Sequence, residues 1–266
     1  MALPISVVDA FTDAPFSGNP AGVVVLDGPA PDGWMQAVAA EVNLAETAFV
    51  TERADGDHDL RWFTPTVEVP LCGHATLATA HVLGGDRRFH TRSGILRCTA
   101  NADGSITLDL PATRLAGSAS PAGWGATLGL STDPVVDVLE GSGWTLVELP
   151  TAADVAACAP DRQALLHAGG HAIVVADTSG DPSSPYDSVC RMFAPSAGID
   201  EDPVTGAAHC ILATWLADRT ARTTFRCHQA SARGGVLGVE LAGDRARLNG
   251  RAVTVWRGEL LATPPG

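Results

Sequence analysis

At 266 residues the chain suits one large domain or two small ones, with a substantial core. Its formal net charge of −13 argues against nucleic acid or an anionic membrane as partner, since both need clustered positive charge. All 17 basic residues are arginine, which excludes a pyridoxal-phosphate enzyme with its Schiff-base lysine and a P-loop with its phosphate lysine.

In chain order, Ile5 to Phe11 and Gly22 to Leu26 read as strands of a hairpin with a broad tip through Ser17-Gly18-Asn19-Pro20. Pro31 to Val42 has helical spacing in Trp34, Met35, Val38 and Val42. Asn43 to Thr47 reads as a polar turn holding Glu46, followed by strands over Ala48–Thr51 and Asp59–Thr64. A helix is predicted from Gly73 to Leu83, small and apolar on nearly every face, which suits burial inside a curled sheet. Phe89 to Leu110 alternates around Asp103-Gly104, a hairpin signal.

Residues 113–133, rich in Ala, Gly, Ser, Thr and Pro, mark the boundary between two lobes, taken as 1–115 and 116–266 with the last strand free to cross between them. Strands follow over Val135–Leu139, Trp144–Leu149 and Ala172–Ala176, with short helices over Ala152–Cys158 and Arg162–Ala168. Arg191 to Pro195 is a strand, and Gly198 to Pro203 a loop carrying Asp200, Glu201 and Asp202. From Thr205 to about Leu216 a second small-residue helix is predicted, with Gly206 allowing close backbone approach at its start. Thr223 to Val255 reads as several short strands.

The two predicted central helices share their surroundings. Arg61, Phe63 and Pro65 are answered by Arg191, Phe193 and Pro195; Gly73 and Ala75 by Gly206 and Ala208; Arg92, Gly94 and Leu96 by Arg233, Gly235 and Leu237. The common order predicts an internal duplication, hence two similar lobes with one helix N-terminus each, facing one cleft. The unsatisfied N–H groups near Gly73 and Gly206 would bind a carboxylate.

Cysteines 72, 98, 158, 190, 210 and 227 form no C-x-x-C pair, and the chain opens without a signal peptide, so reduced thiols and a cytoplasmic location are expected. The eight histidines show no zinc spacing and no apolar run spans a membrane, so neither a metal nor a membrane partner is predicted.

Four segments, DAFTDAPFSGNPAGVVVL (9–26), NLAETAFV (43–50), FTPTVEVPLCGHATLATA (63–80) and FAPSAGIDEDPVTGAAH (193–209), resemble the PhzF phenazine-biosynthesis family, and the resemblance covers most of the chain. It implies the α/β diaminopimelate epimerase fold: two pseudo-symmetric lobes, each a curled, mostly antiparallel sheet round a central helix. It also implies a cofactor-independent isomerase, commonly a homodimer, acting on a small carboxylic acid, with a phenazine precursor or a pyrroline diene acid among the options. By the same resemblance Glu46 is the catalytic acid/base, His74 and Asp202 assist, and Asn19, Gly73, Gly206 and Ala207 contact substrate. Bland readings compete: an exposed turn carboxylate for Glu46, a buried hydrogen-bonded core histidine for His74, a helix cap for Asp202, solvated loop charges for Asp200 and Glu201, a simple turn for Asn19.

One position departs from the family, Ala207, where serine is usual. The change removes a hydroxyl and puts the phenazine substrate in doubt. Cys72-Gly-His also resembles the two-thiol racemases, but aligning Gly73 with Gly206 puts Thr205 where the second thiol should stand, so Cys72 is expected to be a small buried apolar residue. The alternatives kept open are that racemase or epimerase, and a non-catalytic binding protein on the same fold.

Overall fold

The computed structural model describes residues 2–265. The chain divides into two compact units, Met1–Leu110 with Arg247–Gly266, and Pro111–Ala246. Among the described residues no helix is long and apolar enough to cross a membrane.

The first unit runs β1 (Leu3–Ala10), β2 (Asn19–Leu26), α1 (Asp32–Val42), β3 (Glu46–Glu52), β4 (His58–Phe63), β5 (Glu68–Val69), α2 (Gly73–Leu83), β6 (Arg87–Thr91), β7 (Gly94–Ala100) and β8 (Ile106–Pro111). β1 and β2 form the expected antiparallel hairpin. β2 then pairs β3 in parallel, and β3 pairs β4 antiparallel. β4 splits, pairing β5 antiparallel through Trp62 and Phe63 and β6 in parallel through His58 and Asp59. β6, β7 and β8 continue antiparallel, with Asp103-Gly104 in the turn as expected.

The second unit runs β9 (Gly117–Ser118), α3 (Trp124–Thr127), β10 (Asp137–Gly141), β11 (Trp144–Glu148), α4 (Ala152–Ala157), α5 (Arg162–His167), β12 (Ala172–Asp177), β13 (Ser188–Ala194), β14 (Ile199–Asp202), α6 (Gly206–Thr220), β15 (Thr224–Gln229) and β16 (Gly235–Ala242). β17 (Arg245–Gly250) re-enters the first unit at Arg247, and β18 (Ala252–Leu260) pairs there antiparallel to β1.

The pairing pattern of the first unit recurs in the second. β11 pairs β12 in parallel, β12 pairs β13 antiparallel, and β13 splits between antiparallel β14 and parallel β15, which pairs β16. The order β2, β3, β4, β5, α2, β6, β7 is therefore repeated as β11, β12, β13, β14, α6, β15, β16. Both central helices begin at a glycine, Gly73 and Gly206, and both fill their unit: His74 to Ala80 are buried without interruption, as are Ala208 to Leu216. Small residues are needed there because neighbours press on every side of the helix. The first unit buries a second layer on the other face of its sheet, where Met35, Val38 and Ala39 of α1 meet Val24, Leu26, Phe49 and Phe63. In the second unit Val155 and Leu165 of α4 and α5 pack with Val147, Val174 and Phe193.

The tip of the β1–β2 hairpin depends on Gly18. Its φ of 65° lies in the left-handed region, and a Cβ there would stand 2.2 Å from the Ala10 carbonyl oxygen and 2.8 Å from the Thr12 methyl. Gly18→Ala is expected to cost about 2 kcal/mol or more, since the clash is with backbone and the conformation disfavours a side chain. Urea unfolding measures it, and a loss below roughly 0.5 kcal/mol would contradict it.

Candidate active site

Glu46 is the first residue of β3, not part of a preceding turn. The parallel neighbour explains the difference: β2 pairs from Ala21 opposite Glu46 onward, so the strand starts where a partner is available. Asn19 opens β2 and is fully buried, two residues before that pair. Asn19 and Glu46 thus begin adjacent parallel strands at the same end of the sheet.

α2 supplies the groups that face Glu46. Cys72 is its N-cap residue, and its thiol makes no capping hydrogen bond. Cys72 Sγ lies 3.6 Å from His74 Nδ1. On the other side of the ring, His74 Nε2 lies 3.2 Å from Glu46 Oε2. The contact is close, but its angle does not make a hydrogen bond of it, and Nε2 is otherwise shut off from water. Burial pushes the His74 imidazole down to about 3, so the ring is neutral near pH 7 and the pair is not an ion pair. Glu46 keeps a modest opening to solvent, with 14% of its side chain exposed against 6% for His74.

The second unit presents its own cluster at the start of α6. Asp202 ends β14 and not a loop, because β13 pairs with the segment at Met192–Asp202 and Ala194–Ile199. It is not the helix cap; that residue is Thr205. The Thr205 hydroxyl donates to Asp202 Oδ2. Gln229, fully buried at the end of β15, accepts from the Thr205 N–H at 2.8 Å and donates to the Asp202 carbonyl at 2.7 Å. The Ser231 hydroxyl donates to the Pro203 carbonyl at 2.8 Å. Two residues absent from the sequence reading therefore hold this segment, Gln229 and Ser231. Both come from another strand and the turn after it, and nothing local in the sequence marks them.

Glu201 is likewise not a solvated loop charge. Arg191 Nε and Nη2 both donate to its carboxylate at 2.7 Å, and the guanidinium lies 4.9 Å from the Phe193 ring centre. The first unit repeats the device: Arg61 donates to both oxygens of Glu68, at 2.8 and 2.7 Å, and lies 5.2 Å from the Phe63 ring centre. In each unit a bidentate arginine pins the short strand that leads into the central helix. Asp200 alone stays largely in solvent, paired with Arg162.

The helix starts correspond residue by residue: Cys72-Gly73-His74 in α2, Thr205-Gly206-Ala207 in α6. The imidazole of the first unit has a methyl as counterpart in the second, and the thiol a hydroxyl. A separate cavity of about 380 Å³ in the first unit is lined by Met35, Phe49, Leu60, Arg61, His90 and Arg92. Its bases are already paired, Arg61 and Arg92 with Glu68 and His90 with Asp57, and it lacks Glu46 and His74.

His209 on α6 is fully buried, with Nδ1 2.8 Å from the Thr205 carbonyl. Burial pushes it down to about 4, against the raising effect of that carbonyl. Unfolded, His74 and His209 both take up a proton near pH 6.5; folded, they do so only near 3 and 4. As pH falls below 6.5 the unfolded chain binds more protons than the native one, so stability falls with pH; above that it is flat with respect to these groups. The expected loss is about 1 kcal/mol per group per pH unit below 6.5. Unfolding curves at pH 7.5, 6.5 and 5.5 check the sign; equal stability at 7.5 and 5.5 would contradict it.

The comparisons with known proteins agree over nearly the whole chain. The family model described as phenazine biosynthesis-like protein, PhzC-PhzF, matches residues 8–258. An uncharacterized isomerase of Pseudomonas aeruginosa is 43% identical over 267 residues, covering 98% of this chain and 99% of its own. The human phenazine biosynthesis-like domain-containing protein is 34% identical over 307 residues, covering 98% and 100%. Among solved structures, a PhzF family protein of Enterococcus faecalis superposes with a TM-score of 0.89 at 36% identity, over 97% of this chain and 99% of its own. A hydroxyproline epimerase of Agrobacterium vitis shares the fold, at a TM-score of 0.64 and 13% identity, over 99% and 94%.

Proposed function

Because the chain belongs to the phenazine biosynthesis-like, PhzC-PhzF family and is an isomerase, we propose that it moves a proton between carbons of a small unsaturated, amino-acid-derived carboxylic acid, with Glu46 as the acid/base and no cofactor. The observation that carries the reading is the Glu46 carboxylate, still partly open to solvent, set 3.2 Å from a buried, neutral His74.

The step balances without an oxidant. Glu46 removes a proton from an activated C–H, the electron pair shifts along the conjugated system, and the protonated Glu46 returns the proton at the far carbon. His74, neutral, stands beside the carboxylate and orients it. Asp202, fixed by Thr205 and the Gln229 amide, helps to orient and assist. Asn19 and the N–H groups at Gly73 and Gly206 hold the substrate carboxylate or a developing enolate charge. Ala207 offers a methyl where the family usually offers a hydroxyl, which favours a substrate that places carbon or hydrogen there. We further propose a cytoplasmic homodimer serving the biosynthesis of a secondary metabolite of the antibiotic class.

The test is deuterium uptake. Candidate unsaturated acids are incubated with the protein in heavy water and read by mass spectrometry; an isomerase of this kind labels its substrate or product, a binding protein labels none. The two-thiol racemase reading fares worse on a specific observation: the helix cap that is Cys72 in α2 is Thr205 in α6, so no second thiol stands at the corresponding place. Cys72→Ala is accordingly expected to keep turnover within about threefold, whereas a racemase that used the thiolate as its base would lose activity. An inactive but folded Cys72→Ala would return the reaction to the racemase class.

A further inference from the structure

We propose that Glu46, Cys72 and His74 form a metal site, one that takes a single borderline divalent cation of the zinc class through carboxylate, thiolate and imidazole, and that the bound ion inhibits the protein. One donor atom from each of the three lies within 4.8 Å of the other two. Cys72 Sγ is 3.6 Å from His74 Nδ1 and Glu46 Oε2 is 3.2 Å from His74 Nε2. With zinc–nitrogen and zinc–oxygen bonds of about 2.0–2.1 Å and zinc–sulfur of about 2.3 Å, tetrahedral neighbours stand roughly 3.3–3.6 Å apart. The Cys72–Nδ1 separation already has that value, while Glu46 stands 3.2 Å from the other ring nitrogen.

The two neighbours address opposite nitrogens of the ring, so the ion takes one nitrogen and one neighbour must swing towards it. Glu46 is the ligand that moves, because it has the longest side chain and the widest opening to solvent of the pair it forms with His74. The imidazole offers a ring nitrogen, Nε2, that has no hydrogen-bond partner among the described residues. The thiol gives up its proton as the metal binds. Three protein ligands leave the fourth tetrahedral position for water.

The donor set selects the metal. A thiolate with an imidazole suits zinc or cobalt and disfavours magnesium and calcium, which prefer all-oxygen shells. A second group, Asp55, Asp57 and His90, also brings three donors together but has no sulfur, and its Asp57 is already engaged by His90 at 2.8 Å and Arg88 at 3.5 Å. It serves as the internal control. An ion on Glu46 and His74 withdraws from use the pair on which the proposed proton transfer rests, hence the inhibition. The site itself rests on the geometry of one helix start and one strand, and its test reads metal binding alone, so its failure would leave the acid/base reading standing.

The experiment titrates chelator-treated protein with ZnCl2 by calorimetry at pH 7.5, and with CoCl2 by absorption. Expected are one equivalent of Zn2+ with a Kd of about 1 μM or tighter, and a thiolate-to-cobalt charge-transfer band. Cys72→Ala should lose the band and bind Zn2+ at least tenfold more weakly, Glu46→Gln likewise at least tenfold, and Asp57→Asn should bind as wild type does. Thermal unfolding confirms that each variant is folded, and Cys72→Ser replaces Cys72→Ala should the latter fail to fold. Absence of stoichiometric binding, Zn2+ affinity within threefold of wild type in the folded Cys72 variant, or loss of binding in Asp57→Asn would each overturn the site.

Discussion

Glu46→Gln is expected to reduce turnover by at least 10²-fold while leaving the fold intact. Glutamine keeps the shape of glutamate and its acceptor oxygen but cannot take up and return a proton. The contact it must preserve is to a neutral imidazole, so no buried charge is stranded when the carboxylate goes. Stability should therefore change by less than about 1 kcal/mol, the scale of one neutral hydrogen bond. Glu46→Asp keeps the chemistry but withdraws the carboxylate by one methylene, and misplacement of that order costs roughly 10²-fold. The measurement is deuterium washed into the acid that wild type labels, with urea unfolding in parallel. Labelling by Glu46→Gln at more than a tenth of the wild-type rate would remove Glu46 from the role of base.

How far the sequence foretold this site depended on the range of the forces involved. Gly73 and Leu83 bound α2 as predicted, because glycine punctuation and a run of small apolar residues are local signals. The local sequence places Glu46 in a turn and Asp202 in a loop; both lie on strands, since a neighbouring strand extends β3 back to Glu46 and a single partner, β13, creates the four-residue β14. Strand ends of this kind are set by what pairs with them, not by their own residues. Nothing beside Glu201 in the sequence marks it as paired, since its partner Arg191 lies ten residues earlier on another strand. The duplicated motif held the clue, for Arg61 clasps Glu68 in the same way. Gln229 and Ser231 could not have been found, since only the tertiary fold brings the end of β15 to Asp202 and Pro203. α6 runs on to Thr220, past the predicted end near Leu216, because its last turn leaves the core and can carry Asp218 and Arg219.

The largest effect on stability is expected from Phe49→Ala, and it should leave chemistry untouched. β3 is buried on both faces: Ala48 and Val50 alternate with Thr47 and Phe49, and none is more than 2% exposed. By that alternation Glu46 shares a face with Ala48 and Val50, while Phe49 points the other way, into the layer beneath α1. There its ring meets Trp34 edge-on at 5.9 Å and Phe63 edge-on at 5.6 Å, within a cluster that includes Met35 and Val38. Truncation removes the transfer free energy of a buried ring, both aromatic contacts, and the support of whatever the cavity fails to collapse onto. The expected cost is about 3–5 kcal/mol, which corresponds to roughly 10 °C in unfolding midpoint for a chain of this size. Phe49→Leu, which keeps most of the volume, should cost roughly 1–2 kcal/mol. Because the damaged layer lies across the sheet from Glu46 and His74, the rate per folded molecule at low temperature should stay within about twofold of wild type, as expected for sites that share no side-chain partner. A Phe49→Ala protein as stable as wild type would contradict the packing argument. One that is folded but inactive would mean that the face of β3 under α1 and the face carrying Glu46 are mechanically coupled through the strand.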